Sequence, residues 1–97
     1  IKFTCSFADN TGADKDIFAT IKLTKNNSTY NMAARAAQSL TEATTYRSAT
    51  ATTLLDITDT GNQKIMFTAE GIESSTYCYG HGTYQHTYAL IWRLGDT

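Results

Sequence analysis

The sequence predicts an all-β fold, and more narrowly an antiparallel β-sandwich. Apolar and polar residues alternate with period two along most of the 97 residues, which is the pattern of strands with one covered face. Short groups of turn-forming residues separate these stretches, and no crossover helices are expected between them. Strands connected in this way pair antiparallel and stack as two sheets. At this length we expect one domain, residues 1–97.

The first two predicted strands cover residues 1–7 and 17–24. In each, apolar residues recur at every second position, so one face is suited to a core. Residues 9–16 between them are rich in Asp, Asn and Gly and break the alternation. The second strand is followed by a predicted turn at residues 25–28, which contains two asparagines, and Asn tolerates positive φ better than most residues.

Residues 30–40 leave two interpretations open. The segment contains four alanines, and alanine has the highest helix propensity. It lacks an amphipathic stripe, however, and about two helical turns are marginally stable without tertiary packing. The sequence therefore fits either a short helix or a strand here.

From residue 46 onwards the alternation predicts four more strands, at residues 46–57, 63–70, 76–79 and 84–94. Residues 58–62 include Asp-Thr-Gly-Asn and predict a tight hairpin turn between the first two of these strands. We expect one face of every strand to be covered, either in the core or between subunits. The large apolar residues on these faces are Phe3, Phe7, Ile21, Leu55, Ile65, Phe67, Leu90 and Trp92.

Composition excludes two classes of partner. The net charge is −1 and the eight basic residues are scattered, whereas nucleic-acid binding concentrates Lys and Arg on one face. The longest apolar run, residues 88–92, is far shorter than the roughly 20 residues of a bilayer span. We therefore expect neither nucleic-acid binding nor membrane insertion. Because the alternation is already under way at Ile1, we expect the chain to be the C-terminal part of a longer protein.

The two cysteines, Cys5 and Cys78, are too few for a disulfide scaffold. A bridge between them would close a loop of about 70 residues and add about 4 kcal/mol by the chain-entropy relation. The alternative is a pair of buried free thiols that act as small hydrophobic groups. We favour free thiols, because nothing in the sequence indicates an oxidising compartment.

The sequence shows no catalytic constellation. The Gly-x-Ser-x-Gly elbow of hydrolases is missing. Asp56 and Glu70 fall near opposite ends of one predicted hairpin, so a carboxylate pair would need a fortuitous register. We therefore expect a protein that is not an enzyme.

Two groups of residues carry metal-ligating side chains. Cys78, His81 and His86 lie close in sequence with Glu73 nearby, but they lack the fourth paired ligand that zinc prefers. The acidic residues of the segment 9–16 are too few for the six to eight oxygens that Ca²⁺ takes. We expect no cofactor, with His81 exposed between two glycines and His86 packed or interfacial.

Three segments carry a family resemblance. Residues 17–28 form a strand that ends in Lys-Asn-Asn-Ser, and residues 48–69 form a Thr-rich strand, a tight turn and an aliphatic–aromatic strand. The chain ends in Trp-Arg-Leu-Gly-Asp-Thr. These features resemble the trimeric jelly-roll domains of the tumour necrosis factor and complement-head type, especially those at the ends of tailed-phage virion proteins. The resemblance implies a jelly-roll topology with one further strand ahead of Ile1.

The same resemblance implies a function. It points to a structural protein of the virion surface, located in a tail fibre, tail appendage or head fibre. This protein would form a homotrimer and contact other virion proteins. It would also recognise a host-surface glycan or receptor. Two alternatives remain open, because a fold does not decide a function. One is a capsid decoration protein that clamps neighbouring shell subunits, and the other is a free, monomeric carbohydrate-binding module of the lectin type.

Aromatic residues of the last third of the chain are the candidate contact residues. Tyr and Trp combine an apolar ring with a polar group and are enriched at interfaces. Core packing is the competing interpretation, since aromatic residues in strands are mostly packing residues. The expected subunit interface consists of Tyr84, Tyr88 and Trp92, and the expected recognition surface of Tyr77, Tyr79 and His81.

Overall fold

The computed structural model describes residues 1–9, 15–40, 46–72, 75–80, 83 and 85–95. Their regular structure is entirely β, and they form two antiparallel sheets that pack as a β-sandwich, as the sequence predicts. No helix in the described part of the chain is long and apolar enough to span a membrane. The strands described are β1 (Lys2–Asp9), β2 (Lys15–Thr24), β3 (Tyr30–Leu40), β4 (Arg47–Thr52), β5 (Lys64–Glu70), β6 (Thr76–Cys78) and β7 (Tyr88–Leu90).

Each sheet is built around one of the two strands with the clearest alternation. In the first sheet, β1 pairs with β4 along one edge. Its other edge is shared, because β7 pairs with Lys2–Thr4 and β6 pairs with Phe7–Asp9. In the second sheet, β2 lies between β3 and β5. A jelly roll has eight strands and the described residues form seven, so the jelly-roll topology and the additional strand stay predictions.

The core lies between β1 and β2. The ring centroids of Phe3 in β1 and Phe67 in β5 are 5.2 Å apart, which joins the two sheets. Small alanines of β3 and β4 allow the outer strands to approach the larger side chains of the central strands. The buried residues of this core are Phe3, Cys5, Phe7, Ile17, Ala19, Ile21, Leu40, Ala49 and Ala51.

The predicted burial is confirmed at the centre of the sandwich, and the C-terminal residues of the set are exposed in the single chain. Three of the predicted side chains are buried, and Leu55, Ile65 and Phe67 are half-buried. Leu90 and Trp92 are 39% and 55% exposed in the single chain, so they are not part of its core. Coverage between subunits stays a prediction for them. The buried three are Phe3, Phe7 and Ile21.

The ambiguous segment is strand β3, which runs antiparallel to β2 along its whole length. The pairing register shifts between Ile21 and Lys22, leaving Ala33 as an extra residue opposite them. Such a bulge interrupts the period of two, which explains why the sequence pattern is unclear here. The backbone pairing and the packing of its alanines against the core override their helix propensity.

The predicted hairpin at residues 58–62 is wrong as a pairing, although the turn itself forms. The Asp59 carboxylate accepts hydrogen bonds from the amides of Gly61, at 3.0 Å, and Asn62, at 3.3 Å. The strands on either side belong to different sheets, since β4 pairs with β1 and β5 pairs with β2. The segment therefore connects the two sheets.

Two predicted strands are longer than the observed ones. The strand predicted at 46–57 ends as β4 at Thr52, and the strand predicted at 84–94 is reduced to β7. Beyond these ends the chain continues without ladder partners in the described residues, although its apolar residues keep recurring. These two continuations lie side by side and form a feature of the surface described below.

Candidate functional site

Two surfaces lie at opposite ends of β1. Near its C-terminal end, Phe7 pairs with the first residue of β4 and with the last residue of β6. Tyr46 directly precedes β4 and Tyr79 directly follows β6, so both lie near this end. These residues belong to an aromatic group that we call the tyrosine cluster. Near its N-terminal end, the segments that follow β4 and β7 flank Ile1 and form an apolar groove. The tyrosine cluster consists of Tyr46, Tyr77, Tyr79 and His86.

Tyr79 is the centre of the tyrosine cluster. Its ring centroid lies 4.7 Å from that of Tyr46 and 6.3 Å from that of Tyr77. The imidazole of His86 meets it edge-on at 4.6 Å. A hydrogen bond with the Tyr46 side chain raises the pKa of Tyr79 above its usual value. Tyr46 is 54% exposed, so this cluster presents an aromatic surface to solvent.

The position of the cluster is fixed by Ser6 and Thr87. The Ser6 carbonyl accepts the amide of Tyr79 at 2.7 Å, and the Ser6 hydroxyl donates to the His86 carbonyl at 2.8 Å. The Thr87 hydroxyl accepts the Ser6 amide at 3.2 Å and donates to the Tyr79 carbonyl at 2.8 Å. Both β6 and β7 run antiparallel to β1, and the two ends of the segment that joins them are therefore attached to one point on β1.

The two thiols lie beside this attachment point. The Thr87 hydroxyl oxygen is 3.8 Å from Cys5 Sγ and 3.4 Å from Cys78 Sγ. Both cysteines are free, as expected, but only Cys5 is buried and Cys78 is exposed. Burial, reinforced by the neighbouring Cys78 thiol, raises the pKa of Cys5 to about 12. Cys5 is therefore a neutral thiol at physiological pH, whereas Cys78 is accessible to reagents.

The apolar groove has a volume of about 940 Å³. The most exposed apolar residues of its lining are Leu94 at 80%, Leu54 at 77% and Ile91 at 64%, with Trp92 at 55%. Asp56 and Arg93 lie among them and supply charges of opposite sign. The backbone amide of Thr53 donates to the Ile1 carbonyl at 3.0 Å and holds the floor of the groove to β1.

The candidate contact residues predicted from the sequence lie in different parts of the structure. Tyr77 and Tyr79 lie in the tyrosine cluster, and Trp92 lines the apolar groove. Tyr88 is half-buried in β7, where it pairs with Thr4 and lies beneath the Lys2 ammonium at 5.9 Å. Tyr84 and His81 lie outside the described residues.

Sequence reasoning missed several members of both surfaces. Tyr46 carries no signal that separates it from other strand residues, and His86 was expected only to be packed or interfacial. Leu54 and Ile91 continue an alternating pattern, and such a pattern does not show whether the same chain covers them.

Three of the carboxylates considered for catalysis or metal binding, Glu70, Asp9 and Asp16, are bonded to other side chains. Glu70 forms ion pairs with Lys22, at 2.6 Å, and with Arg35 on the outer face of the second sheet. Asp56 lies in the apolar groove, so the two carboxylates do not share a hairpin. Asp9 is bonded to Lys15, and Asp16 accepts the Ser39 hydroxyl. Among the residues that the structure describes, no three metal-ligating side chains come together.

Comparison with protein families, with curated proteins and with solved structures finds no match to this chain. The two surfaces are therefore interpreted from their own chemistry.

Proposed function

We propose that the chain is a non-enzymatic structural module of a tailed-phage virion surface, which assembles as a homotrimer through the apolar groove. Self-association is supported by the groove, which places the exposed side chains of Leu54, Ile91, Trp92 and Leu94 next to one another, and exposed apolar side chains that cluster can mark a protein–protein contact. The virion assignment is supported by the three segments that resemble phage jelly-roll domains, and by no further observation.

The energetics favour a closed ring of copies over a single contact. Covering Leu54, Ile91, Trp92 and Leu94 is worth roughly 4–8 kcal/mol per groove. This is the same order as the cost of immobilising one protein on another, about 4–15 kcal/mol. In a heterologous ring each copy makes two contacts, one with its groove and one with the surface that fills its neighbour's groove.

Sedimentation velocity of the full chain at micromolar concentration tests this proposal. We expect a trimer for the wild type and dissociation for Trp92→Ala, because removing a packed interfacial Trp costs about 2 kcal/mol or more. Met32→Ser is the matched control, since Met32 is 53% exposed on β3, outside the groove, and should leave the trimer intact. A wild-type chain that stays a folded monomer contradicts the proposal.

The tyrosine cluster favours a second candidate function, carbohydrate binding, either by the trimer at a host surface or by a free lectin-type module. Aromatic rings that are held in place and partly exposed stack on the apolar faces of sugars. A glycan array probed with the wild type and with Tyr46→Ala tests this, and the variant should lose the signal while sedimenting as the wild type does. Tyr30→Ala, at the start of β3, is the control. Binding by a monomer favours the lectin; no binding to any glycan contradicts the candidate.

The decoration alternative differs from the fibre in location and not in fold. Gold-labelled antibodies against this chain would bind around the capsid shell of intact particles if it is a decoration protein. Labels confined to tail or head fibres support the proposed module.

A further inference from the structure

We propose that Cys5 and Cys78 form a dithiol site at which a small-molecule disulfide, such as glutathione disulfide, is reduced while the two cysteines become an intramolecular disulfide that fastens β6 to β1. This inference does not rest on the proposed virion function. The observations that carry it are the strand register, the shared contact with Thr87 and the unequal exposure of the two sulfurs.

The register places both thiols on the same side of one strand pair. Cys78, the last residue of β6, is the pairing partner of Phe7. Cys5 lies two residues from Phe7 on β1 and therefore projects from the same face of the sheet. Diagonal neighbours of this kind have Cα atoms about 7–8 Å apart. Their sulfurs both contact the Thr87 hydroxyl, at 3.8 and 3.4 Å, so the two side chains converge on one point.

Closing the bond requires a small movement, which the local structure permits. A disulfide needs Cα atoms within about 4.4–6.8 Å, so β6 must approach β1 slightly at Cys78. β6 has only three residues and pairs with β1 alone in the described sheet. A Cβ added at Gly80, two residues further on, would meet no atom within 4 Å, so the chain is not packed against other atoms on that side.

The exposures set the order of the two exchange steps. Cys78 is exposed and is the thiol that a dissolved disulfide can reach, whereas Cys5 is completely covered. The Cys78 thiolate attacks one sulfur of the reagent, forms a mixed disulfide and releases one thiolate, which takes up a proton. Cys5 then loses its proton and attacks Cys78 Sγ. The bond to the reagent breaks, and the second thiolate leaves and takes up that proton.

The electron balance is closed by the reagent. Two cysteine thiols lose two electrons and two protons in total, and one small disulfide becomes two thiols. Burial slows the second step, because the raised pKa keeps Cys5 in its neutral form. The step is intramolecular, however, and the target sulfur lies beside Cys5, so a high effective concentration favours closure.

Oxidation has a structural consequence for the tyrosine cluster. Tyr77 is in β6 and Tyr79 is two residues later, so a bond at Cys78 restrains the strand that carries both rings. The bridge also links distant parts of the chain, which restricts the unfolded state. We therefore expect the oxidised chain to melt about 10–25 °C higher than the reduced chain.

Intact mass spectrometry of the full chain after treatment with glutathione disulfide tests the site. We expect the wild type to lose the mass of two hydrogen atoms and to retain no glutathione. Cys5→Ala should stop at a single glutathione adduct, and Cys78→Ser should remain unmodified because its remaining thiol is buried. Cys78 is exposed, so Cys78→Ser should fold normally and serves as the control in the thermal melt.

Three results overturn the inference. They are a wild type that stops at a glutathione adduct or stays reduced, a disulfide between two chains, and an intramolecular disulfide that leaves the melting temperature unchanged. Because the apolar groove lies at the other end of β1, loss of the trimer in sedimentation would leave each of these readouts interpretable.

Discussion

A buried ion pair between the two sheets provides the sharpest test of the fold. Lys15 at the start of β2 donates to the Asp9 carboxylate at the end of β1, with Nζ and Oδ1 3.1 Å apart. The two side chains are only 5% and 0% exposed. Thr76 of β6 also donates to Asp9, and Lys15 donates to the Ser75 hydroxyl. The pair thus connects both sheets and the short strand β6.

Removing one partner leaves the other charge buried among protein atoms. The expected cost for Lys15→Met is about 3–5 kcal/mol, because the buried Asp9 carboxylate loses its ammonium partner. A chain of this size has a total stability of about 5–15 kcal/mol, so the variant loses a large share of it. The same change at Lys22 disrupts an ion pair with Glu70 whose side chains are 27% and 24% exposed. Pairs near the surface contribute about 0–1 kcal/mol.

Urea unfolding followed by far-ultraviolet circular dichroism measures both variants. Lys15→Met should lower the free energy of unfolding several times more than Lys22→Met. The double variant Asp9→Leu/Lys15→Met removes both charges of the pair, so it should be more stable than Lys15→Met alone. Equal losses below about 1 kcal/mol for both single variants would refute the assignment of Asp9 and Lys15 to a buried pair.

Two further predictions concern single positions. Gly71→Ala should destabilise the fold severely in thermal melts, since φ is +76° and a Cβ would lie 2.3 Å from a backbone oxygen of β2; Gly80→Ala has open space and should be tolerated. Hydrogen bonding to Lys22 holds the pKa of Glu70 below its usual 4.5, so its stabilisation is present above that pH and lost as pH falls through the lowered value. Glu70→Gln should therefore flatten the acid limb of the stability curve, and an unchanged limb would contradict this.

The sequence predicts the local elements of this fold better than their pairing. Strands β1 and β2 follow from alternation alone, and the turn after β2 forms with Asn27 at φ 59°, as its composition predicts. The Asp59 turn also forms as predicted. Local turn chemistry cannot specify which sheet the next strand joins, because that depends on contacts between distant residues. The pairing of Cys5 with Ala49 in the β1–β4 ladder is one such contact between distant residues.

The burial of surface residues likewise depends on contacts between distant residues, which the local pattern does not specify. Alternation identifies the face on which a side chain lies, but not whether the same chain covers that face. Around Phe3 the prediction is correct because β5 supplies Phe67 from the opposite sheet. Beyond β7 the apolar residues recur at Trp92 and Leu94, yet neither side chain is covered by the described chain. A pattern of burial without a covering element within the chain is what a subunit interface produces. The sequence assigns Trp92 to the expected subunit interface, and its coverage by a second copy stays a prediction that the sedimentation of Trp92→Ala tests.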